Sequence, residues 1–302
     1  LDAILFGQIT ITKTDADTGS TAQGEASFAG ASFRVTGPNN YNQVIVSDAS
    51  GVAKTGTDLP FGTYTVTEIT APTGYRLNTT PITLTISTVS PIANGSFQET
   101  GTIADTVIRG RISVQKVAYN SVTGDAVPET EAQFQIYSTR YNSYDEAPAS
   151  QRDILSMTSG GTGTSNWLPY GEYRVVQIAG KEGYSFVPSW TVTISSDGET
   201  YSFMRVNPIT TAQLRIVKTD AESSEQVPIA GTEFQIYHAD TDELVTQTLT
   251  YPNPTTLSSF VTDESGAVTL PEELAYGRYY IVEINAPTGY LLSSQRVYFD
   301  VT

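Results

Sequence analysis

Three lysines recur in one frame, Lys13, Lys116 and Lys218, out of only five in the 302-residue chain. They stand 103 and 102 residues apart (13 to 116, then 116 to 218), and each follows a carboxylate or amide by eleven residues: Asp2, Asp105 and Asn207. Each closes a short β-like run, Gln8-Ile9-Thr10-Ile11-Thr12-Lys13 being the clearest, with Arg111 to Lys116 and Gln213 to Lys218 as its counterparts. Ile9, Ile11 and Lys13 share strand parity, so the alternation that buries the isoleucines also aims the amine inward. A buried amine must be paired, held neutral or consumed by chemistry.

A second recurring block must position these lysines. It reads Tyr64-Thr65-Val66-Thr67-Glu68-Ile69-Thr70-Ala71-Pro72-Thr73-Gly74-Tyr75 in the first repeat and Tyr279-Tyr280-Ile281-Val282-Glu283-Ile284-Asn285-Ala286-Pro287-Thr288-Gly289-Tyr290 in the third. The second repeat runs Tyr173-Arg174-Val175-Val176-Gln177-Ile178, with Gln177 at the glutamate position. Tyr64, Val66 and Glu68 share one face, as do Tyr279, Ile281 and Glu283, so a carboxyl group interrupts an apolar stripe. Such breaks in patterning mark functional or strained sites. An isolated glutamate of this kind would read as a rim residue reaching solvent; alongside the lysine frame it reads as a buried partner.

The chain is rich in threonine, valine, isoleucine and tyrosine, 24 glycines and 15 prolines punctuate the turns, and no stretch holds helical periodicity. The chain is therefore all-β, in units of about a hundred residues, a common domain size. Strands are expected at Ala31–Val35, Ala132–Tyr137 and Thr232–Tyr237, and again at Pro81–Ile86, Trp190–Ile194 and Arg296–Val301. The segments from Tyr141 to Asn166 and near Tyr251-Pro252-Asn253-Pro254 read as surface loops. A net charge of −16 opposes nucleic acid and anionic membranes as partners. With no cysteine there is no disulfide or thiolate chemistry. No run approaches the roughly 18 apolar residues of a membrane span, and no signal peptide opens the chain. Leu59-Pro60-Phe61-Gly62-Thr63 only superficially looks like a sorting signal, and the chain reads as a segment of a longer exported protein.

The Tyr-x-Val-x-Glu-Ile-x-Ala-Pro-x-Gly-Tyr block, with the Ile-x-Lys-Thr-Asp ending at Lys13 and Lys218, resembles the Cna B-type (SpaA-type) repeat domains of Gram-positive surface adhesins and pilins. The resemblance covers essentially the whole chain. It implies three tandem immunoglobulin-like or prealbumin-like β-sandwich domains in an elongated array: 7–107, 108–209 and 210–302, the last lacking its final strand, with 1–6 the last-strand remnant of a preceding unit. It further implies a spontaneous isopeptide bond in each domain. Lys13 would be the nucleophile, Asp105 the electrophile and Glu68 the proton shuttle. Lys116 and Asn207 would form the second pair, which Gln177 leaves absent or slow because an amide cannot shuttle protons at neutral pH. Lys218 and Glu283 would make an incomplete third site, its partner beyond Thr302, since Asp300 faces outward. Asp2 would be an orphan partner whose strand could even complete the third domain of another copy.

The implied role is a structural stalk or shaft segment of a wall-anchored extracellular protein, its partners the neighbouring domains of the same protein, with no cofactor, no turnover enzymology and no membrane insertion in this segment. The alternative is an adhesin module gripping a host glycan or matrix protein through loops, with Tyr141 and Tyr144 as exposed contacts. No metal is expected: Asp15, Asp17 and Gly19 look like the start of a calcium loop but lack its closing glutamate. The single histidine, His238, makes a hydrolase triad improbable and reads as a strand or loop residue.

Overall fold

A computed structural model describes residues 5–121 and 123–302. It is all-β: two short 3₁₀ turns are its only helical elements among the described residues, and no helix is long and apolar enough to cross a membrane. The chain divides into two compact units. One holds residues up to Gln115 with Thr130–Ala179 and Pro188–Arg205; the other holds Lys116–Glu129, Gly180–Val187 and Val206–Thr302.

In the first repeat the Phe6–Asp15 strand lies at the centre of a sheet. It pairs in parallel with Ser96–Asp105, in register from Gly7↔Phe97 to Asp15↔Asp105, and antiparallel with Val52–Lys54 and Leu59–Pro60. The opposing sheet runs Tyr41–Val46, Ser32–Gly37, Gly62–Thr70, Ile82–Ile86. Between them Ile9, Ile11, Phe33, Val35, Tyr64, Val66, Ile86 and Ile103 form the core. Alternation along the first strand is strict. Ile9, Ile11, Lys13 and Asp15 are buried, while Thr10, Thr12 and Thr14 on the other face are partly covered.

The same plan returns. Arg109–Tyr119 pairs with Ala126–Pro128, Thr162–Thr164, Leu168–Pro169 and Thr200–Pro208, beside a sheet of Arg152–Ser156, Gln133–Ser138, Gly171–Ala179 and Trp190–Ile194. In the third repeat Phe260–Val261, Glu233–His238, Gly277–Asn285 and Val297–Val301 form one sheet. Opposite it, Arg215–Val217 pairs with Ala267–Thr269 alone among the described strands. The edge that the parallel last strand covers in the first repeat is thus unpaired here.

One device aims the motif residue inward in all three repeats. Phe33 pairs with Glu68, Phe134 with Gln177 and Phe234 with Glu283, and at the preceding residue the register slips by one. The slip is a β-bulge, which re-aims side chains by leaving one residue unpaired. That extra residue is Ile69, Ile178 or Ile284, exposed by 38–40%. Two positions before each motif residue, the next inward side chain is the apolar Val66, Val175 or Ile281. Each motif strand also begins at a glycine with positive φ (Gly62, Gly171, Gly277), beyond which a buried tyrosine hydroxyl donates to the carbonyl four residues earlier: Tyr64 to Pro60, Tyr173 to Pro169, Tyr279 to Ala275. The hydroxyl satisfies itself locally, so the ring can fill the core.

Two sequence expectations need correction. The Tyr141–Asn166 segment is not one loop, because it supplies the sheet strands Arg152–Ser156 and Thr162–Thr164. The segment is mostly polar, which is why it reads as a loop by composition. Nor are Tyr141 and Tyr144 exposed contacts: both are half-buried, and the Arg152 guanidinium lies 4.8 Å from the Tyr144 ring centre. His238 ends the Glu233–His238 strand with its ring 4.8 Å from that of Tyr279.

Candidate functional sites

Lys13, Glu68 and Asp105 come from the first strand, the motif strand and the last strand, and they meet in the core. All three side chains are wholly buried. The Lys13 ammonium lies 3.2 Å from Glu68 Oε1, pairs with Asp105 Oδ1 at very short range, and donates to the Ile103 carbonyl at 3.1 Å. The backbone N–H of Asn78 donates to Glu68 Oε2 (2.9 Å), while the Asn78 amide donates to the Ala104 carbonyl (2.9 Å). Asn78 therefore fixes the glutamate against the last strand.

A second buried aspartate, Asp15, lies opposite Asp105 in the parallel register. The two differ in electrostatics. Asp15 accepts from the N–H groups of Asp17 and Thr18, from the Gln23 amide and from the Tyr75 hydroxyl. Burial pushes its carboxyl up, yet these donors together hold it below the ordinary value. Asp105 has no such donors. Burial pushes it up to about 6, against the pull of the Lys13 charge and with a further push from Glu68. Asp15 is thus a turn-forming carboxylate already engaged by its own loop, whereas Asp105 is readily protonated and in contact with an amine. A carboxylic acid, an amine and a second carboxyl group, held dry and in contact, are the components of amide condensation.

In the second repeat Lys116 and Asn207 are fully buried, as the frame requires. Their carboxylate is Glu129, at the end of the short Ala126–Pro128 strand, a residue absent from the sequence reading. Glu129 Oε2 lies 3.1 Å from the Lys116 amine and accepts from the Asn207 amide at 3.1 Å. Gln177 is buried at its bulge, and its amide donates to the Ala179 carbonyl. The carboxylate in contact with Lys116 and Asn207 is thus Glu129. In sequence, Glu129 cannot be told from Glu131, which shares its parity and is exposed.

The third repeat holds Lys218 and Glu283 as an ion pair of 2.7 Å. Here the lysine side chain is 13% exposed instead of fully covered, as the uncovered strand edge dictates. Asp300 faces outward, 3.7 Å from Arg278. Asp2 lies outside the described residues.

The three sites repeat on one framework, and comparison with known proteins identifies it. A profile described as the SpaA prealbumin-like fold domain matches residues 7–99, 110–207 and 212–302. The chain belongs to this family. It comprises three SpaA-type repeats in tandem. Among solved structures, the Bacillus anthracis TIE protein superposes with a TM-score of 0.52 at 21% identity, over 99% of this chain and 48% of that one. BcpA, the major pilin subunit of Bacillus cereus, gives 0.39 at 14% identity (98% and 95% covered), and the full-length major pilin SpaD from Corynebacterium diphtheriae 0.33 at 15% (98% and 91%). A search of curated proteins found no match.

Proposed function

We propose that this chain is a load-bearing stalk or shaft segment of a Gram-positive surface adhesin or pilus-like protein, reinforced by autocatalytic Lys–Asp and Lys–Asn isopeptide bonds. The observation that carries the reading is the buried Lys13–Glu68–Asp105 cluster. Neutral Lys13 Nζ attacks Asp105 Cγ, forming the Nζ–Cγ bond. Glu68 passes the amine proton to the departing oxygen, and one water leaves. The reaction occurs once per molecule, so it is maturation and not turnover.

The register explains what such a bond does. Lys13 and Asp105 lie near the C-terminal ends of parallel neighbours, the first and last strands of the repeat. Tension entering at the start of the first strand would reach Lys13, cross to Asp105 and leave. Everything between those residues would be off the force path. The bond also restricts the unfolded chain; by the loop-closure model used for disulfides, a loop of about ninety residues contributes roughly 4–5 kcal/mol. In a chain without cysteine this is an available covalent reinforcement.

The test is mass spectrometry of the folded protein with peptide mapping. The segment around Lys13 is expected joined to that around Asp105 with loss of one water, and Lys13→Ala or Glu68→Ala abolishes the linkage. Unjoined peptides from well-folded protein would overturn the proposal.

A further inference from the structure

The second repeat carries its carboxylate in a different place from the other two. We infer that it is a competent cross-linking site, in which Glu129 from the neighbouring short strand is the catalytic residue joining Lys116 to Asn207, replacing the motif glutamate that Gln177 cannot supply. The inference rests on reading the Lys13 site as self-cross-linking.

The geometry is that of a shuttle. A single oxygen, Glu129 Oε2, lies 3.1 Å from both the Lys116 amine and the Asn207 amide nitrogen. These are the nucleophile and the leaving group. The other oxygen, Oε1, accepts the Lys181 N–H at 2.8 Å, and the Glu129 N–H donates to the Lys116 carbonyl at 3.0 Å. Both ends of the residue are therefore fixed, and the carboxylate cannot swing away. The site excludes water: Lys116 and Asn207 are 0% exposed and Glu129 is 2% exposed. Burial pulls the Lys116 amine below its ordinary value, against the pull of Glu129, and so toward its nucleophilic neutral form.

The repeats also exchange residues consistently. The N–H that meets the lysine carbonyl belongs to Glu129 in the second repeat and to the buried, apolar Val227 in the third. Where the motif strand carries Glu283, this position is apolar; where it carries Gln177, this position is acidic. In these two repeats each lysine keeps one carboxylate. A purely structural ion pair accounts poorly for Asn207, whose Oδ1 is buried without a hydrogen-bond partner, a costly arrangement for a group with no other role.

The chemistry balances without any other reagent. Neutral Lys116 Nζ attacks Asn207 Cγ, and the new Nζ–Cγ bond forms as Glu129 takes a proton from Nζ. The Cγ–Nδ2 bond then breaks as Glu129 returns that proton to Nδ2. A secondary amide and one ammonia result, and Glu129 ends in its starting state.

Peptide mapping of the intact chain tests this, with the Lys13–Asp105 linkage as an internal reporter. Wild type is expected to join the Lys116 and Asn207 segments with loss of one ammonia. Glu129→Gln, nearly isosteric, should lose this linkage and keep the water loss at Lys13–Asp105. Glu129→Asp, which retains a carboxylate on a shorter stem, should restore it at a rate reduced at least tenfold. An ammonia loss that persists in Glu129→Gln overturns the role of Glu129. Wild type joined at Lys13–Asp105 but not at Lys116–Asn207 overturns this inference and leaves the first site standing, whereas folded protein joined at neither overturns both. If Glu129→Gln does not fold, Glu129→Asp decides: linkage at the full wild-type rate, or none over days in folded protein, refutes the shuttle.

Discussion

Replacing Glu68 with glutamine preserves shape at the first site and removes the proposed proton shuttle, so the repeat should fold without the proposed covalent lock. The consequence is a length. Roughly ninety residues lie between Lys13 and Asp105, and at about 3.3–3.6 Å per extended residue they hold about 300–320 Å of hidden chain. In the locked molecule none of that length can be extracted, because tension passes from residue 13 directly to residue 105. Single-molecule pulling on the full chain, with handles at both ends, reads the difference. Glu68→Gln should show one additional unfolding event of about that length relative to wild type. Asp105→Ala should show the same event by removing the electrophile instead of the shuttle. Circular dichroism matching wild type would establish that both variants fold. Identical event counts in wild type and the two folded variants would refute the force-path argument.

Two further outcomes follow from the geometry. Because burial raises Asp105 to about 6, its neutral, electrophilic form predominates below that pH and falls about tenfold per unit above it. The attack also needs a neutral amine, which becomes more common as pH rises, so cross-linking of freshly translated protein, followed by intact mass over time, should level off above pH 6; a rate that climbs steadily across that range would exclude protonated Asp105 as the electrophile. Before the bond forms the stability linkage has the same sense. The folded state holds the Asp105 proton more tightly than the unfolded chain, so this contribution is complete below the ordinary value of 3.8 and lost as pH rises through about 6. In the third repeat, Tyr279→Phe removes the hydroxyl bond to the Ala275 carbonyl and should lower stability by about 1 kcal/mol. A shift in the urea midpoint of that repeat measures it, and no shift would mean that the hydroxyl does not hold the corner.

Much of the first site is legible in the sequence because strand periodicity is local. Lys13 and Glu68 each share parity with apolar neighbours, and two-residue alternation then leaves only one side to face. The β-bulge at Glu68 lies just after that apolar run, so it does not disturb the parity that identifies the residue. Asp105 is harder, since its strand, Ser96–Asp105, has too little apolar alternation to announce itself; the resemblance supplied it. Asp15 shows the limit of residue type. It is as buried as Asp105 and sits opposite it, yet its own loop satisfies it, and only the hydrogen-bond geometry separates the two roles.

What the sequence determined by itself is the repeat, the all-β class and the inward lysines, since each follows from patterns within a few residues or from their recurrence. What only the tertiary structure decided is which carboxylate each lysine meets. Glu129 and Glu131 are two residues apart with the same parity, and nothing local distinguishes them. The Glu129 N–H pairs with the Lys116 carbonyl, and that long-range contact turns one glutamate toward the buried amine while leaving the other in water. The same distinction governs the third repeat. Lys218 and Glu283 can be read from the chain, but the exposure of their pair follows from the sheet edge beside them, which is a property of strand pairing. Local pattern fixes which face a side chain takes; pairing between distant strands fixes what it finds there.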